Sequence, residues 1–220
     1  MTELREWLTV RTGQQGWQIE EFVAGTGHHI NALVRDEQVE PVQVGRYFGP
    51  LLDLPTGRRL GSVSVAGPQL HDLNARVVAA LGGQGAFVVH TELIVTAAGE
   101  PVVIEVAARA PGGDVPRMAQ LHAGVELEAA NLRMQAGLPV VAPRPTGVDA
   151  AWLWVPVLPG ERYRRTPDIR SEHEVRVRRV GQAGNDGASE VVGLSAVLWN
   201  ADPARLAADV DLALTARWFA

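Results

Sequence analysis

Residues 90–113 read HTELIVTAAGEPVVIEVAARAPGG, and this stretch decides how the chain is read. ELIV and PVVIEVA are rich in β-branched residues, and the small residues between them include Gly99, the pattern of a tight β-hairpin. With Ala98–Gly99 as a two-residue turn, Glu92 falls directly opposite Glu105, with Cβ atoms about 4.5–5.5 Å apart. Like charges so placed repel unless a cation lies between them or one carboxyl is protonated. A hard divalent ion such as Mg²⁺, or Mn²⁺ in its place, takes carboxylate oxygens and substrate phosphates and would resolve the repulsion. A register shifted by one residue would instead send one glutamate to solvent.

Outward from the hairpin, the pattern is mixed. HDLNARVVAALGG has helical apolar spacing at Leu73, Val77, Ala80 and Leu81 and ends in glycines. VPRMAQLHAG and VELEAANLRMQAG, after the hairpin, are further helices closed by glycine. TELREWLTV at the start is a fourth. WQIEEFVAG and HHINALVRD are expected as strands joined around Gly25 and Gly27, with another near VEPVQVGRY. Residues 46–68, rich in Gly and Pro, are expected to form a long loop. AAWLWVPVLPG, EVRVRRVGQ and EVVGLSAVLWN are strand-like, and PARLAADVDLALTARWF is a helix with Asp202 as N-cap and Pro203 in its first turn. Short connections between strands favour antiparallel pairing, so the expected class is α+β, a mainly antiparallel sheet with flanking helices.

Composition narrows the function classes. The chain has 220 residues, 46% hydrophobic and 20% charged, with a formal net charge of −5, which argues against nucleic acid or an anionic membrane as partner. It contains no cysteine, which excludes disulfides, thiolate metal sites and a cysteine nucleophile. No apolar run approaches the roughly 18 residues needed to span a bilayer, and the N-terminus does not resemble a signal peptide; a cytoplasmic protein is expected. All 20 basic residues are arginine. The arginines of RYRRTPDIR and RVRRV are expected to be solvated faces, a poor footing for nucleic-acid binding.

The order of these segments resembles the ATP-grasp superfamily of carboxylate–amine and carboxylate–thiol ligases. QIEEFVAG resembles the hinge that holds adenine, which implies roles for Glu20, Glu21, Phe22 and Val23. HHINALV resembles the next strand, which reaches ribose and phosphates, implying His29 and Asn31 as contacts. GAFVVHTELIV and IEVAARAPGG resemble the strands carrying the two magnesium carboxylates, here Glu92 and Glu105. Arg109, two residues beyond Ala107, is the implied contact for phosphate or the bound carboxylate. The match covers roughly residues 1–140 as an ATP-grasp-like partial domain, the C-terminal half of that fold. Residues 141–220 are expected as a smaller β-rich lobe ending in a helix.

The sequence departs from the family pattern in two places. In the usual E-x-N motif an asparagine completes the metal site, whereas position 107 is alanine. A full member also carries a preceding domain, two phosphate-binding lysines and a flexible Gly-rich loop before the hinge, and this chain has no lysine. The resemblance therefore implies the C-terminal portion of a ligase that activates a carboxylate as an acyl phosphate with Mg·ATP. A separate lysine-bearing chain would complete the clamp, and an exposed apolar surface where the missing half docks implies partner binding or self-association as a homo-oligomer. The alternatives are a non-catalytic relic or regulatory module, and a plain α+β small-molecule binding domain whose glutamates are structural. Residue by residue, Glu20 and Glu21 read equally as solvent-facing acids, His28 and His29 point to opposite faces of an extended strand, and APGGD is either a plain turn or, with the helix N-terminus after it, an anion site.

Overall fold

Alternating or continuous runs of Val, Ile, Leu and Ala build the strands, and glycine, proline and asparagine punctuate them. The computed structural model describes residues 20–50, 53, 56–158, 160–178 and 192–220. Among these, the elements in chain order are β1 (Thr26–Arg35), β2 (Gln38–Tyr47), β3 (Leu60–Ser64), α1 (Pro68–Ala80), β4 (Ala86–Val95), β5 (Pro101–Ala107), α2 (Val115–Ala123), α3 (Leu127–Gln135), β6 (Asp149–Pro156), β7 (Glu172–Val177), β8 (Val192–Asn200) and α4 (Pro203–Thr215). The class is α+β, as expected. The helix expected in TELREWLTV lies outside the described residues.

The strands form one eight-stranded sheet in the order β5-β4-β1-β2-β3-β6-β8-β7, and every pairing in it is antiparallel. Strands from both sides of residue 140 share this sheet, joined where β3 pairs with β6. α1 covers one face of β1, β2 and β4, where Val78 packs with Ala32, Val34 and Val89. α4 covers the same face further along, packing Leu206, Val210 and Ala213 on Leu153, Leu194 and Leu198. α2 and α3 cover the opposite face, through Ala119, Leu127 and Met134 on Leu33 and Val88 and through Val115 and Met118 beside Trp152 and Trp154. Burying a side chain such as Leu127 or Leu198 is worth about 1.5–3 kcal/mol, so the two helical layers fix the sheet between them. Asp202 caps α4 as its sequence position suggests, accepting from the N–H groups of Ala204 and Arg205 at 3.0 and 3.4 Å.

Two expectations are corrected. Residues 46–68 are not one long loop, because Leu60–Ser64 form β3 between β2 and β6. Its five residues are too short for a clear alternation, and only the flanking strands make it one. Of the expected strand WQIEEFVAG, residues 20–25 are irregular, and β1 begins at Thr26. Phe22 is 87% exposed, so its side chain does not anchor that segment. It passes close to β4 at Gly25, where a Cβ would overlap the Val95 carbonyl and the Ile94 side chain.

Candidate metal and nucleotide site

Glu92 and Glu105 stand directly opposite each other on β4 and β5. The turn that joins them is not the expected two-residue one. The Gly99 N–H donates to the Thr96 carbonyl and the Thr96 N–H to the Glu100 carbonyl, both at 2.9 Å, which makes a three-residue loop with Gly99 at φ 83°. That loop alone would pair Glu92 with Ile104, since Val95 faces Pro101 and Leu93 faces Val103. A β-bulge between Glu92 and Leu93 skips Ile104 and returns Glu105 to its place across from Glu92. The same shift sets Ala107 across from His90.

The alternation of strand faces gathers more polar groups on the side of Glu92. His29 of β1 is opposite Glu92, and Asn31 is opposite His90. The Tyr47 hydroxyl of β2 donates to Glu92 Oε1 at 2.8 Å, and His90 Nε2 lies 3.5 Å from the same oxygen. His90 Nδ1 donates to Asn31 Oδ1 at 2.9 Å. Asn31 Nδ2 donates to His29 Nδ1 at 3.3 Å, and His29 Nε2 donates to Ser62 Oγ at 2.8 Å. The Ser62 hydroxyl closes the chain on Met118 Sδ of α2 at 3.9 Å. Four strands and a helix thus contribute to one file of hydrogen bonds that ends on a candidate metal carboxylate.

The electrostatics follow from burial. His29 is 0% exposed, and burial, with smaller contributions from His90 and His28, pushes it well below the ordinary histidine range, so it is neutral. Burial also drives the Tyr47 phenol up, reinforced by Glu92 and Glu105, so it stays protonated and donates. Burial works to raise the Glu92 carboxyl, but His90 beside it, the Tyr47 hydrogen bond and the charge of Arg109 outweigh burial and hold Glu92 below its usual value. The two carboxylates differ in access, since the Glu92 side chain is 21% exposed and that of Glu105 is 55%. Arg109 approaches Glu105 Oε1 at 3.6 Å, offsetting part of the paired negative charge.

The remaining candidate residues lie along the same end of the sheet or beneath it. Glu20, Glu21 and Phe22 are exposed and Val23 is half-buried, in the segment that enters β1. Thr26, where β1 begins, pairs with Val95, three residues along from the His29–Glu92 pair. His29 and Asn31 are fully buried and reach Glu92 through His90 rather than by their own surfaces. The APGGD segment leads into α2, but the place suggested for an anion holds the buried carboxylate of Asp114, bonded by Trp154 Nε1 at 3.0 Å and Arg176 at 2.8 Å. A cleft of about 340 Å³ opens beside it, lined by Gly113, Asp114, Arg117, Gln120, Glu126 and Arg176 among others, and neither hairpin glutamate lines it. Sequence reasoning did not single out Tyr47, His90 or Ser62. His90 was within reach of it, because a residue two before Glu92 on a strand shares its face.

No family model matches the chain, and no curated protein matches it by sequence. Solved structures do. L-amino acid ligase from Bacillus licheniformis superposes with a TM-score of 0.63 at 22% identity, over 94% of this chain and 56% of that one. These neighbours are ATP-grasp enzymes. The chain has the ATP-grasp fold. The phosphoribosylaminoimidazole carboxylase ATPase subunit from Aquifex aeolicus gives a TM-score of 0.64 at 14% identity, covering 92% of this chain and 61% of that chain. The biotin carboxylase domain of the Hydrogenobacter thermophilus 2-oxoglutarate carboxylase, solved with MgADP and bicarbonate, gives 0.56 at 14%, covering 82% and 43%. The chain therefore spans about half the length of the solved structures it resembles. Among its described residues no helix is long and apolar enough to cross a membrane.

Proposed function

We propose that this chain is the C-terminal portion of an ATP-dependent carboxylate ligase, acting in the cytoplasm, with Glu92 and Glu105 as the carboxylates that hold magnesium on ATP. The observation that carries the reading is the placement of two glutamates face to face on a sheet of ATP-grasp fold, one bonded by Tyr47 and one half exposed beside Arg109. In this reading residues 1–140 carry the nucleotide and metal groups, and residues 141–220 complete the sheet and its helical cover. Glu20, Glu21, Phe22 and Val23 would receive the adenine. Three residues of strand separate Thr26 from His29, roughly 10 Å at about 3.4 Å per residue, which suits an extended nucleotide with its base at the segment before β1 and its phosphates at Glu92.

Bound magnesium would supply charge neutralisation to the phosphate oxygens and to the group in transfer. The chain's own residues do the rest. Tyr47 bonds one oxygen of Glu92 and so restrains the carboxylate. His29 and Asn31 hold His90, and through it the carboxylate, in one orientation. Arg109, exposed beside Glu105, would bind the phosphate or the acyl phosphate formed when a substrate carboxylate takes the γ-phosphoryl group. The lysines that neutralise phosphate in full members of the fold would come from a separate chain that carries the N-terminal half, since another copy of this chain has none to give. The complete absence of lysine favours a second reading, a non-catalytic regulatory or binding module built on the same fold.

Calorimetric titration of the full chain with Mg·ATP, beside Glu92→Gln and Glu105→Gln, tests the proposal. Saturable binding abolished in both variants supports it. No heat at millimolar nucleotide in folded protein leaves the second reading.

A further inference from the structure

The usual E-x-N motif completes its metal site with the amide oxygen of an asparagine, and here that position is Ala107. The β4–β5 register places His90 directly across from Ala107 and on the face of Glu92 and Glu105. The alanine brings no donor of its own to the carboxylates, and an imidazole faces it across the ladder. His90 is only 6% exposed, and its Nε2 lies 3.5 Å from Glu92 Oε1. Two donor atoms each about 2.0–2.2 Å from one ion, at an angle of roughly 90–110°, lie about 3.0–3.5 Å apart, so a single ion can bridge this pair.

The ring is also oriented for that role. The Ser62 hydroxyl donates to Met118, so the neutral His29 donates through Nε2 and accepts from Asn31 through Nδ1. Asn31 must then turn its oxygen to His90, whose Nδ1 carries the donated hydrogen. Nε2 is thereby left to face Glu92. Metal-bound histidines are commonly held this way, with the second ring N–H donated to a carbonyl or carboxylate oxygen. Tyr47 occupies only one of the lone pairs of Glu92 Oε1.

We propose that His90 is a metal ligand of this chain, that its Nε2 replaces the missing asparagine oxygen, and that the site consequently prefers a first-row transition ion to Mg²⁺. This rests on the reading of Glu92 and Glu105 as metal carboxylates. Among the described residues no three His, Asp or Glu side chains are already gathered around one point. Glu105, half exposed and restrained only at 3.6 Å by Arg109, is the third donor and turns inward when the ion binds. A nitrogen donor makes the difference in selectivity, because imidazole suits borderline transition ions while Mg²⁺ takes oxygen.

The test titrates the full chain with Mg²⁺, Mn²⁺ and Co²⁺ and records the electron spin echo of bound Mn²⁺ for modulation by a coordinated ¹⁴N. The expected affinity order is Mg²⁺ below Mn²⁺ below Co²⁺, with imidazole nitrogen modulation present in the wild type. His90→Gln, which keeps volume and hydrogen bonding, should remove the modulation and lower Mn²⁺ affinity at least about 10-fold while changing Mg²⁺ little. If the variant fails to fold, judged by circular dichroism, the wild-type spectrum decides by itself. Binding that is lost in Glu92→Gln but shows no nitrogen modulation and no preference over Mg²⁺ overturns the His90 ligand and leaves the carboxylate site standing. No binding of any of the three ions overturns both.

Discussion

The hydroxyl of Tyr47 and the carboxylate of Glu92 are 45 positions apart in the chain and 2.8 Å apart in space. β1 lies between their strands, so this contact crosses over a neighbouring strand instead of joining adjacent pairs. The crossing is possible because β1 offers Gly27 opposite Tyr47's end of the ladder, and the tyrosine ring packs against it. Tyr47→Phe removes the hydroxyl and keeps the ring. A net loss of about 0.5–1.5 kcal/mol in unfolding free energy is expected, with roughly twice that as the ceiling because the acceptor is charged. Urea unfolding measures it, and a change in metal affinity in the same variant would show that the bond orients Glu92 as well as stabilising the fold. Unchanged values for both quantities would mean that the bond does neither.

Arg109 separates binding from stability. Its side chain is largely exposed, touching the Ala110 carbonyl at 3.1 Å and Glu105 at 3.6 Å. Arg109→Ala should leave stability within about 0.5 kcal/mol, as exposed substitutions usually do. Nucleotide affinity should fall clearly in the calorimeter. Full retention of affinity would remove Arg109 from the phosphate site.

Gly45 is held to glycine by its neighbour and not by its backbone. A Cβ there would overlap the imidazole of His29 across the β1–β2 ladder. Because His29 is bonded on both ring nitrogens, it cannot move aside without breaking the file to Glu92. Gly45→Ala is expected to cost about 1–3 kcal/mol, the range for overpacked cores. It should also weaken metal binding, which a merely local strain would not do. Thermal unfolding and a Mn²⁺ titration on the same sample distinguish the two.

Acid should destabilise the chain through His29. Burial holds its folded-state affinity for protons well below that of an ordinary histidine, about 6.5. Below that pH the unfolded chain binds the proton and the folded chain does not, so stability falls as pH drops, by up to about 1.4 kcal/mol per pH unit for this group. Glu92 acts in the same direction at lower pH, since its carboxyl is held below the usual range and its stabilisation is lost as it protonates. Unfolding free energy at pH 5.5 should therefore lie roughly 1.4 kcal/mol below that at pH 7.5 on account of His29, and His29→Gln should flatten the difference. Equal slopes for the two proteins would assign the acid sensitivity elsewhere.

Much of this was legible in the sequence where the signal is local. α1, α2, α3 and α4 follow apolar spacing and end signals. The hairpin follows β-branched composition, and the absence of lysine is a matter of composition alone. The pairing of Glu92 with Glu105 was legible too, though for an incomplete reason. The real loop is one residue longer than the one inferred, and the bulge at Ile104 compensates. A loop of three residues and a bulge of one leave the strand parity unchanged, which is why the simpler register reached the same pair.

What the sequence determined by itself is the set of elements and the two acids on facing strands, because hairpin registers and helix periods depend on residues near one another in the chain. Only the tertiary structure decided that β3 is a strand, that β6, β8 and β7 extend the same sheet, that His29 is sealed inside, and that Tyr47, His90 and Asn31 converge on Glu92. Those facts depend on which strands become neighbours. A side chain 45 or 59 positions away supplies a hydrogen bond only after the sheet order has placed it there, and no local propensity encodes that order.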